Sequence, residues 1–302
     1  MKLQEVLVGE SDATNKLLRQ VKKVGQSDSD VVIIGEPGVG KSTVAYGIHV
    51  AGKGSPSKGF VMLSSFSTTD DELKRFVSGE AAVARGGTVL FEEVDGFPFL
   101  SQLQIAKFIE ERKSKLGVRV ICTLTDELDS LLHHGKVNPS LGKLLKEFST
   151  IEVLPLRERP EDVPHLVRHF LVKACSDLRI KAKALDVNTL DFLMSRDWKE
   201  NIRELKAVVE KSVLSSDGEM LALPHEVVDE LGQVQGILAN LEQRRRFSLD
   251  SSLENLERTI IRRALEKFEY NQTRVAEMLG VTEANLRYRL KKFSIPSSRS
   301  RV

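Results

Sequence analysis

The run Val31-Val32-Ile33-Ile34 passes directly into Gly35-Glu36-Pro37-Gly38-Val39-Gly40-Lys41-Ser42, a complete GxxxxGK[ST] segment. Four consecutive β-branched residues bounded by glycine read as a strand buried on both faces. Thr43 to His49 behind the loop is compatible with a helix. A glycine-rich turn between strand and helix aims backbone N–H groups and the positive end of a helix at one point, where a polyphosphate sits. On this reading Gly35, Glu36, Pro37, Gly38, Val39, Gly40, Lys41, Ser42 and Thr43 form the cradle. Lys41 reaches the terminal phosphates and the Ser42 hydroxyl meets a magnesium ion. The plainer alternative, a turn that holds no phosphate, does not need this strand–loop–helix order.

Further strand-like runs lie at Phe60–Leu63, Thr88–Phe91, Val118–Thr123 and Ile151–Leu154, with helical patterns between them, as in Ser101–Arg112. Strands alternating with helices predict a mostly parallel sheet covered on both faces. After Pro155 the strand signal stops, and Asp162–Leu178, Val187–Ser195, Ile202–Leu214 and Pro224–Leu231 read as helices. The expected domains are therefore an α/β nucleotide-binding part over 1–156, an all-α part over 157–231, a polar linker over 232–249, a second all-α unit over 250–296 and a tail over 297–302. The 302 residues contain no run of 18 apolar residues and no basic-then-apolar leader, so neither a membrane span nor secretion is expected. Cys122 and Cys175 are the only cysteines, which fits reduced thiols in a cytoplasm.

Charge divides unevenly along the chain. Of 45 Lys+Arg and 43 Asp+Glu, 14 and 7 fall from Arg244 to Val302, leaving 31 and 36 before them. A slightly acidic body with a basic C-terminal part is the footprint of contact with nucleic acid. The pattern inside that part is more specific. Leu253 to Phe268 carries an apolar stripe. Asn271 is a cap for a short helix over Gln272–Leu279, Gly280 supplies the turn, and Thr282 caps a further helix through Lys292. Ala276, Val281, Leu286 and Leu290 have the spacing of the buried side of a helix-turn-helix. Thr282, Glu283, Asn285 and Arg287 are then placed to read base edges, and Arg289, Lys291 and Lys292 to hold the phosphate backbone. The expected partner is double-stranded DNA with a two-fold-symmetric site, bound by a homodimer or higher homo-oligomer. A plain helical hairpin is the alternative, and the basic charge disfavours it.

A phosphate loop needs a partner acid on a neighbouring strand, and Thr88-Val89-Leu90-Phe91 ends in Glu92-Glu93. In such sites the first carboxylate holds magnesium and the second polarises the attacking water. With these residues in view, the chain resembles the AAA+ bacterial enhancer-binding proteins, the NtrC-like activators of sigma-54 RNA polymerase. The resemblance runs through VGESDATNKLLRQV (8–21), the loop at 35–42, GGTVLFEEVD (86–95), VRVICT (118–123), LPLRERPEDVPHLVRHFL (154–171), DWKENIRELK (197–206) and the C-terminal Fis-type helix-turn-helix. It implies an α/β P-loop AAA+ domain with an all-α lid, ATP or ADP with Mg2+ at a subunit cleft, ring assembly, and RNA polymerase as a partner. It also implies that Arg203, within Asn201–Leu205, is the lid arginine that senses the phosphates. No receiver domain is expected ahead of the AAA+ part.

Four departures shape the expected function. Members of the family carry a GAFTGA loop that touches sigma-54, and here SGEAAVAR (78–85) spans that place, so the loop reads as deleted. The first paired acid, ordinarily Asp, is Glu92, one methylene longer, and magnesium tolerates little misplacement. VNPSLGKLL (137–145) puts Asn138 and Lys143 where the family has arginine fingers, and neither offers the planar charged fork. Ser42 stands where many members have Glu, which restores a magnesium ligand. Together these predict a sequence-specific transcriptional regulator that binds ATP, hydrolyses it weakly or not at all through Glu92 and Glu93, and acts without sigma-54. The alternatives are an active ATPase remodelling sigma-54 polymerase and a scaffold that only oligomerises the DNA-binding part. His165 and His169 have the i, i+4 spacing of metal ligands but no evident third ligand. The resemblance leaves either Thr123 or Thr125 as the sensor residue on the fourth strand, and Trp198 is expected to pack the lid.

Overall fold

The computed structural model describes residues 3–52, 58–111, 113–181, 183–216, 218, 220, 221, 223, 257, 258, 260–262, 264, 265, 268, 270–293 and 295. The chain divides into two compact units, residues 1–228 and 229–302. The first is built on a five-stranded sheet in the order β2-β3-β4-β1-β5, with β1 Val31–Ile34, β2 Phe60–Ser64, β3 Thr88–Glu92, β4 Arg119–Leu124 and β5 Ser149–Glu152. All four pairings are parallel, with Val31 opposite both Ile121 and Ser149. Strand alternation divides the core. Val31 and Ile33 pack with Leu17, Val21, Val44 and Ile48 of helices α2 (Asp12–Gly25) and α3 (Lys41–Ala51). Val32 and Ile34 pack on the opposite face with Leu73, Phe76, Phe108 and Leu141, from α4 (Asp70–Ser78), α5 (Phe99–Glu111) and α8 (Pro139–Leu145). Short helices α1 (Leu3–Val6), α6 (Lys113–Leu116) and α7 (Leu128–His133) complete this part.

Four strands fall where the sequence puts them to within a residue. The fifth begins two residues early, at Ser149 in place of Ile151. Pairing with β1 fixes it: the Ser149 N–H donates to Asp30 O at the start and the Val153 N–H to Ile34 O at the end, after which Pro155 offers no N–H.

A separate helical core follows. Helices α9 (Val163–Asp177), α10 (Val187–Met194) and α11 (Asn201–Ser215) bury Leu166, Val167, Leu193, Leu205 and Val209 around Trp198. The Trp198 indole donates to Leu193 O at 2.9 Å, so its one polar atom is satisfied inside the lid. The expected helix over 224–231, the linker and the tail lie outside the described residues.

The second unit holds the helix-turn-helix. Helix α12 (Gln272–Met278) starts at Asn271, whose side chain accepts the Arg274 N–H at 3.2 Å. Gly280 sits at φ 65°, and Thr282 caps α13 (Glu283–Lys292) by accepting the Asn285 N–H at 3.2 Å. Each cap satisfies an N–H that the helix start leaves without a partner. Val275, Ala276, Leu286, Leu290 and Phe293 are buried with Ile261, Ala264 and Leu265 of a preceding helical stretch. No helix among the described residues is long and apolar enough to cross a membrane.

Candidate nucleotide site and candidate nucleic-acid interface

The loop between β1 and α3 takes its shape from two glycines in the left-handed region, Gly38 (φ 78°) and Gly40 (φ 99°), the second capping α3. Val39 is buried in the sheet core and anchors the loop. Lys41 and Ser42 are the first two residues of α3. The Lys41 ammonium donates to the carbonyls of Gly35 (2.7 Å) and Glu36 (3.0 Å) and lies 3.6 Å from the Glu93 carboxylate. Burial lowers the Lys41 pKa from the ordinary lysine value, and the charges of Glu93, Asp95 and Glu92 oppose that shift. The Ser42 hydroxyl bonds the Glu92 carboxylate at the end of β3. Thr43 is exposed on the first turn.

The paired acids serve opposite sides of this site. Glu92 is half-buried and reaches Ser42, so the two form an oxygen-only pair of the kind that suits a hard cation such as magnesium. Glu93 turns back under the loop because its backbone is left-handed (φ 52°), uncommon for a residue other than glycine. Thr123 holds that turn: its hydroxyl accepts the Glu93 N–H at 2.8 Å, and both residues are buried. Thr125, the other candidate, lies one residue past the end of β4 and bonds Asp95 through its N–H and hydroxyl.

The helical lid grips the loop at several points that sequence reasoning missed. Arg157 clasps Glu36 through both guanidinium nitrogens, at 2.8 and 2.5 Å. That fork holds the Glu36 carboxyl well below the ordinary range, at about 2, with Asn201 adding to the effect against the opposing cost of burial. Asn201 is fully buried at φ 57°. Its amide N–H groups bond Glu36 (3.1 Å) and Pro37 O (3.0 Å), and its oxygen accepts the Leu156 N–H at 2.8 Å. Gly38 lies so close to α11 that a Cβ there would sit 2.1 Å from Glu200 O. Arg203, expected to sense phosphates, has an exposed side chain, and its backbone N–H bonds Gly38 O at 3.2 Å.

A second buried cluster lies behind the loop. Asp162 is fully buried and accepts from the N–H groups of Glu10 and Ser11 (both 2.8 Å), the Ser11 hydroxyl (2.9 Å) and the Thr14 hydroxyl (2.6 Å). Arg159 lies 3.7 Å from Asp162 and donates to Val39 O at 3.1 Å. Gly9 is needed here, since a Cβ would meet Asp162 at 2.5 Å. The sequence signal was available in VGES and LRERPED, but nothing local says that these segments meet.

The remaining expectations fall as follows. Between α4 and β3 the chain makes a 3-10 turn over Glu80–Ala84, with Ala81 and Ala84 fully buried. Asn138 caps α8 by accepting the Ser140 N–H at 2.9 Å, while its own N–H donates to Gln102 at 2.6 Å. Lys143 is exposed. His165 faces Glu10 at 3.5 Å, whereas His169 packs on Phe170, so the two histidines are not drawn together. No group of three metal-ligating side chains occurs among the described residues.

On α13, Thr282, Asn285, Arg287, Lys291 and Lys292 are exposed. Glu283 accepts from Thr273 of α12 (2.6 Å) and from Arg287 one turn on (2.9 Å). Arg289 points differently from the other basic residues. It pairs with Glu257 of the preceding helical stretch and donates to Asn285 at 2.8 Å, so it braces the motif from within.

Comparison with known proteins agrees with this geometry. The family model described as sigma-54 interaction domain matches residues 8–156, that of the AAA+ ATPase lid domain residues 157–235, and that of bacterial regulatory proteins of the Fis family residues 252–293. The phenol regulator MopR of Acinetobacter guillouiae is 31% identical over 95% of the chain, and the chain spans 56% of its length. The response regulator PilR of Pseudomonas aeruginosa is 28% identical over 96% of the chain, which spans 70% of it. A crystal structure of NtrX from Brucella abortus in complex with ADP covers 96% of the chain, and 69% of its own length, with a TM-score of 0.64 at 25% identity.

Proposed function

The chain belongs to the AAA+ bacterial enhancer-binding regulators, and from that membership we propose that it is a DNA-binding transcriptional regulator that holds ATP or ADP with magnesium, hydrolyses it weakly or not at all, and acts without engaging sigma-54. The backbone N–H groups of residues 38–43, beyond Pro37 (which has none), and the Lys41 ammonium bind the phosphates. Lys41 exchanges its contacts with Gly35 and Glu36 for phosphate oxygens when nucleotide enters. Ser42 and Glu92 would hold the magnesium ion, which neutralises charge on the phosphate oxygens when bound. Glu93, buried beside Lys41 and fixed by Thr123, is the group placed to orient water. Its presence is what favours the second reading, a working ATPase that remodels sigma-54 polymerase.

The observation that carries the first reading is the short 3-10 connection between α4 and β3, anchored by the buried Ala81 and Ala84. Ala81 and Ala84 lie in the core while Glu80, Ala82 and Val83 are exposed, and so tight a turn supports a reading in which no long polymerase-contacting loop projects here. Asn138 supports it, because a residue spent on capping α8 carries no charge to a neighbouring subunit's phosphate. Loss of an arginine finger costs about 10³–10⁵ in turnover. On α13, Thr282, Glu283, Asn285 and Arg287 are the proposed base readers, and Lys291 and Lys292 the phosphate anchors.

A steady-state ATPase assay on the purified oligomer, with wild type and Glu93→Gln, tests this. The expected result is little turnover in both, with ADP binding measurable by calorimetry. Robust turnover abolished by Glu93→Gln establishes the second reading instead, and absent nucleotide binding reduces the AAA+ part to a scaffold.

A further inference from the structure

A carboxylate at the second position of a phosphate-binding loop is an electrostatic liability. Glu36 sits in the segment that must approach a polyanion, and an ionised carboxylate there repels it. The charge is neutralised from the lid. Both Glu36 oxygens are taken by Arg157, and one also accepts from the buried Asn201. The same residue faces the nucleotide side through its backbone, since Glu36 O accepts the Lys41 ammonium at 3.0 Å. Glu36 therefore joins the lid, through its side chain, to the phosphate-grasping lysine, through its carbonyl.

We propose that Arg157 and Asn201 are positioning residues for nucleotide binding, forming with Glu36 a clasp that holds the lid on the loop and slows nucleotide release. This rests on the nucleotide-binding reading above and adds a mechanism for release. With the lid docked, the Glu36 carboxylate is ionised and its charge is offset by Arg157. When the lid leaves, Arg157 and Asn201 leave with it, and Glu36 becomes a like charge beside the phosphates. Lid departure then actively disfavours the bound nucleotide. Asn201 makes the geometry specific: it bonds Pro37 O and the Leu156 N–H as well as Glu36, so it ties the loop to the start of the lid and to α11.

The idea separates two mutations that a simple tie would make equivalent. Arg157→Ala removes the clasp and strands the carboxylate, whereas Glu36→Ala removes the clasp and the repulsion together. The experiment is stopped-flow dissociation of mant-ADP with magnesium from the full chain, chased with excess ADP. Arg157→Ala is expected to raise the dissociation rate about tenfold and Glu36→Ala about threefold, the range for a bidentate charge-assisted pair that is partly exposed. The double variant should match Glu36→Ala, because the two residues act through each other. Arg157→Lys, which keeps the charge but not the fork, should fall between wild type and Arg157→Ala. It also supplies the readout should the alanine variant not fold, as checked by circular dichroism. Effects that multiply in the double variant, or an Arg157→Ala or Arg157→Lys rate within measurement error of wild type, overturn the clasp. Failure of wild type to bind mant-ADP at all, with Lys41→Ala indistinguishable from it, overturns the nucleotide reading itself.

Discussion

Replacing Asp162 with alanine should be among the most damaging single changes in the first unit, although none of the hydrogen bonds it accepts comes from the phosphate loop. The carboxylate is fully buried and accepts from four groups of the segment 10–14. It is also the neighbour that offsets Arg159, whose guanidinium is itself buried and whose pKa burial pushes down. Removing one member of a buried pair costs about 3–5 kcal/mol, and each buried donor left unmade about 1–3 kcal/mol. These penalties overlap, because Arg159 and Thr14 can relax together, so a total of roughly 3–5 kcal/mol is expected. With a urea dependence of about 2 kcal/mol per molar, the unfolding midpoint should fall by roughly 1.5–2.5 M. Urea melts followed by far-ultraviolet circular dichroism measure it. Asp162→Asn should lose less, since one amide oxygen can still serve the two backbone N–H groups. Adding Arg159→Met to Asp162→Ala should recover part of the loss, by removing the stranded cation. A midpoint within about 0.5 M of wild type for Asp162→Ala, a change near 1 kcal/mol on that slope, would refute the view that this cluster fastens the N-terminal segment to the lid.

Two other outcomes are expected. The Glu36 pKa is depressed in the folded chain to about 2 from an ordinary 4.5, so the clasp's contribution is complete above about pH 4.5 and is lost as pH falls through about 2; carboxyl NMR titration of wild type and Arg157→Ala should show Glu36 titrating nearer its ordinary value in the variant. For DNA, Arg287→Ala should relax sequence choice at about 1–3 kcal/mol for its base, while Lys291→Ala weakens all sequences alike and lowers the salt slope by about one; equal losses on cognate and scrambled duplexes for both variants contradict that division.

How far the sequence carries depends on how local the determinants are. The β-branched run ahead of the P-loop, the Asn271 and Thr282 caps and the turn at Gly280 each depend on a few neighbouring residues, and each lies where its pattern puts it. The pairing of Ser42 with Glu92 was also legible, because a P-loop and an acid-ended strand constrain each other. What was not legible is long-range. Asp162 meets residues about 150 positions away, and Asn201 meets Glu36 across 165. Nothing in the composition of either stretch reports that distance. Arg203 hides Asn201 in the sequence, because a charged residue in that motif is the more obvious phosphate ligand. Charge alone groups Arg289 with Lys291 and Lys292, but helical phase turns it toward Glu257. The left-handed turn of Glu93 is likewise set by Thr123 from another strand.

The Asp162 cluster has a practical consequence for anyone building hybrids of these regulators. Cutting at the junction near residue 156 and joining a lid from a relative would separate an acceptor from its four donors, unless residues 9–14 travel with it. The unit of exchange is a discontinuous one: the segment that opens α2 and the segment that opens the lid must come from the same parent.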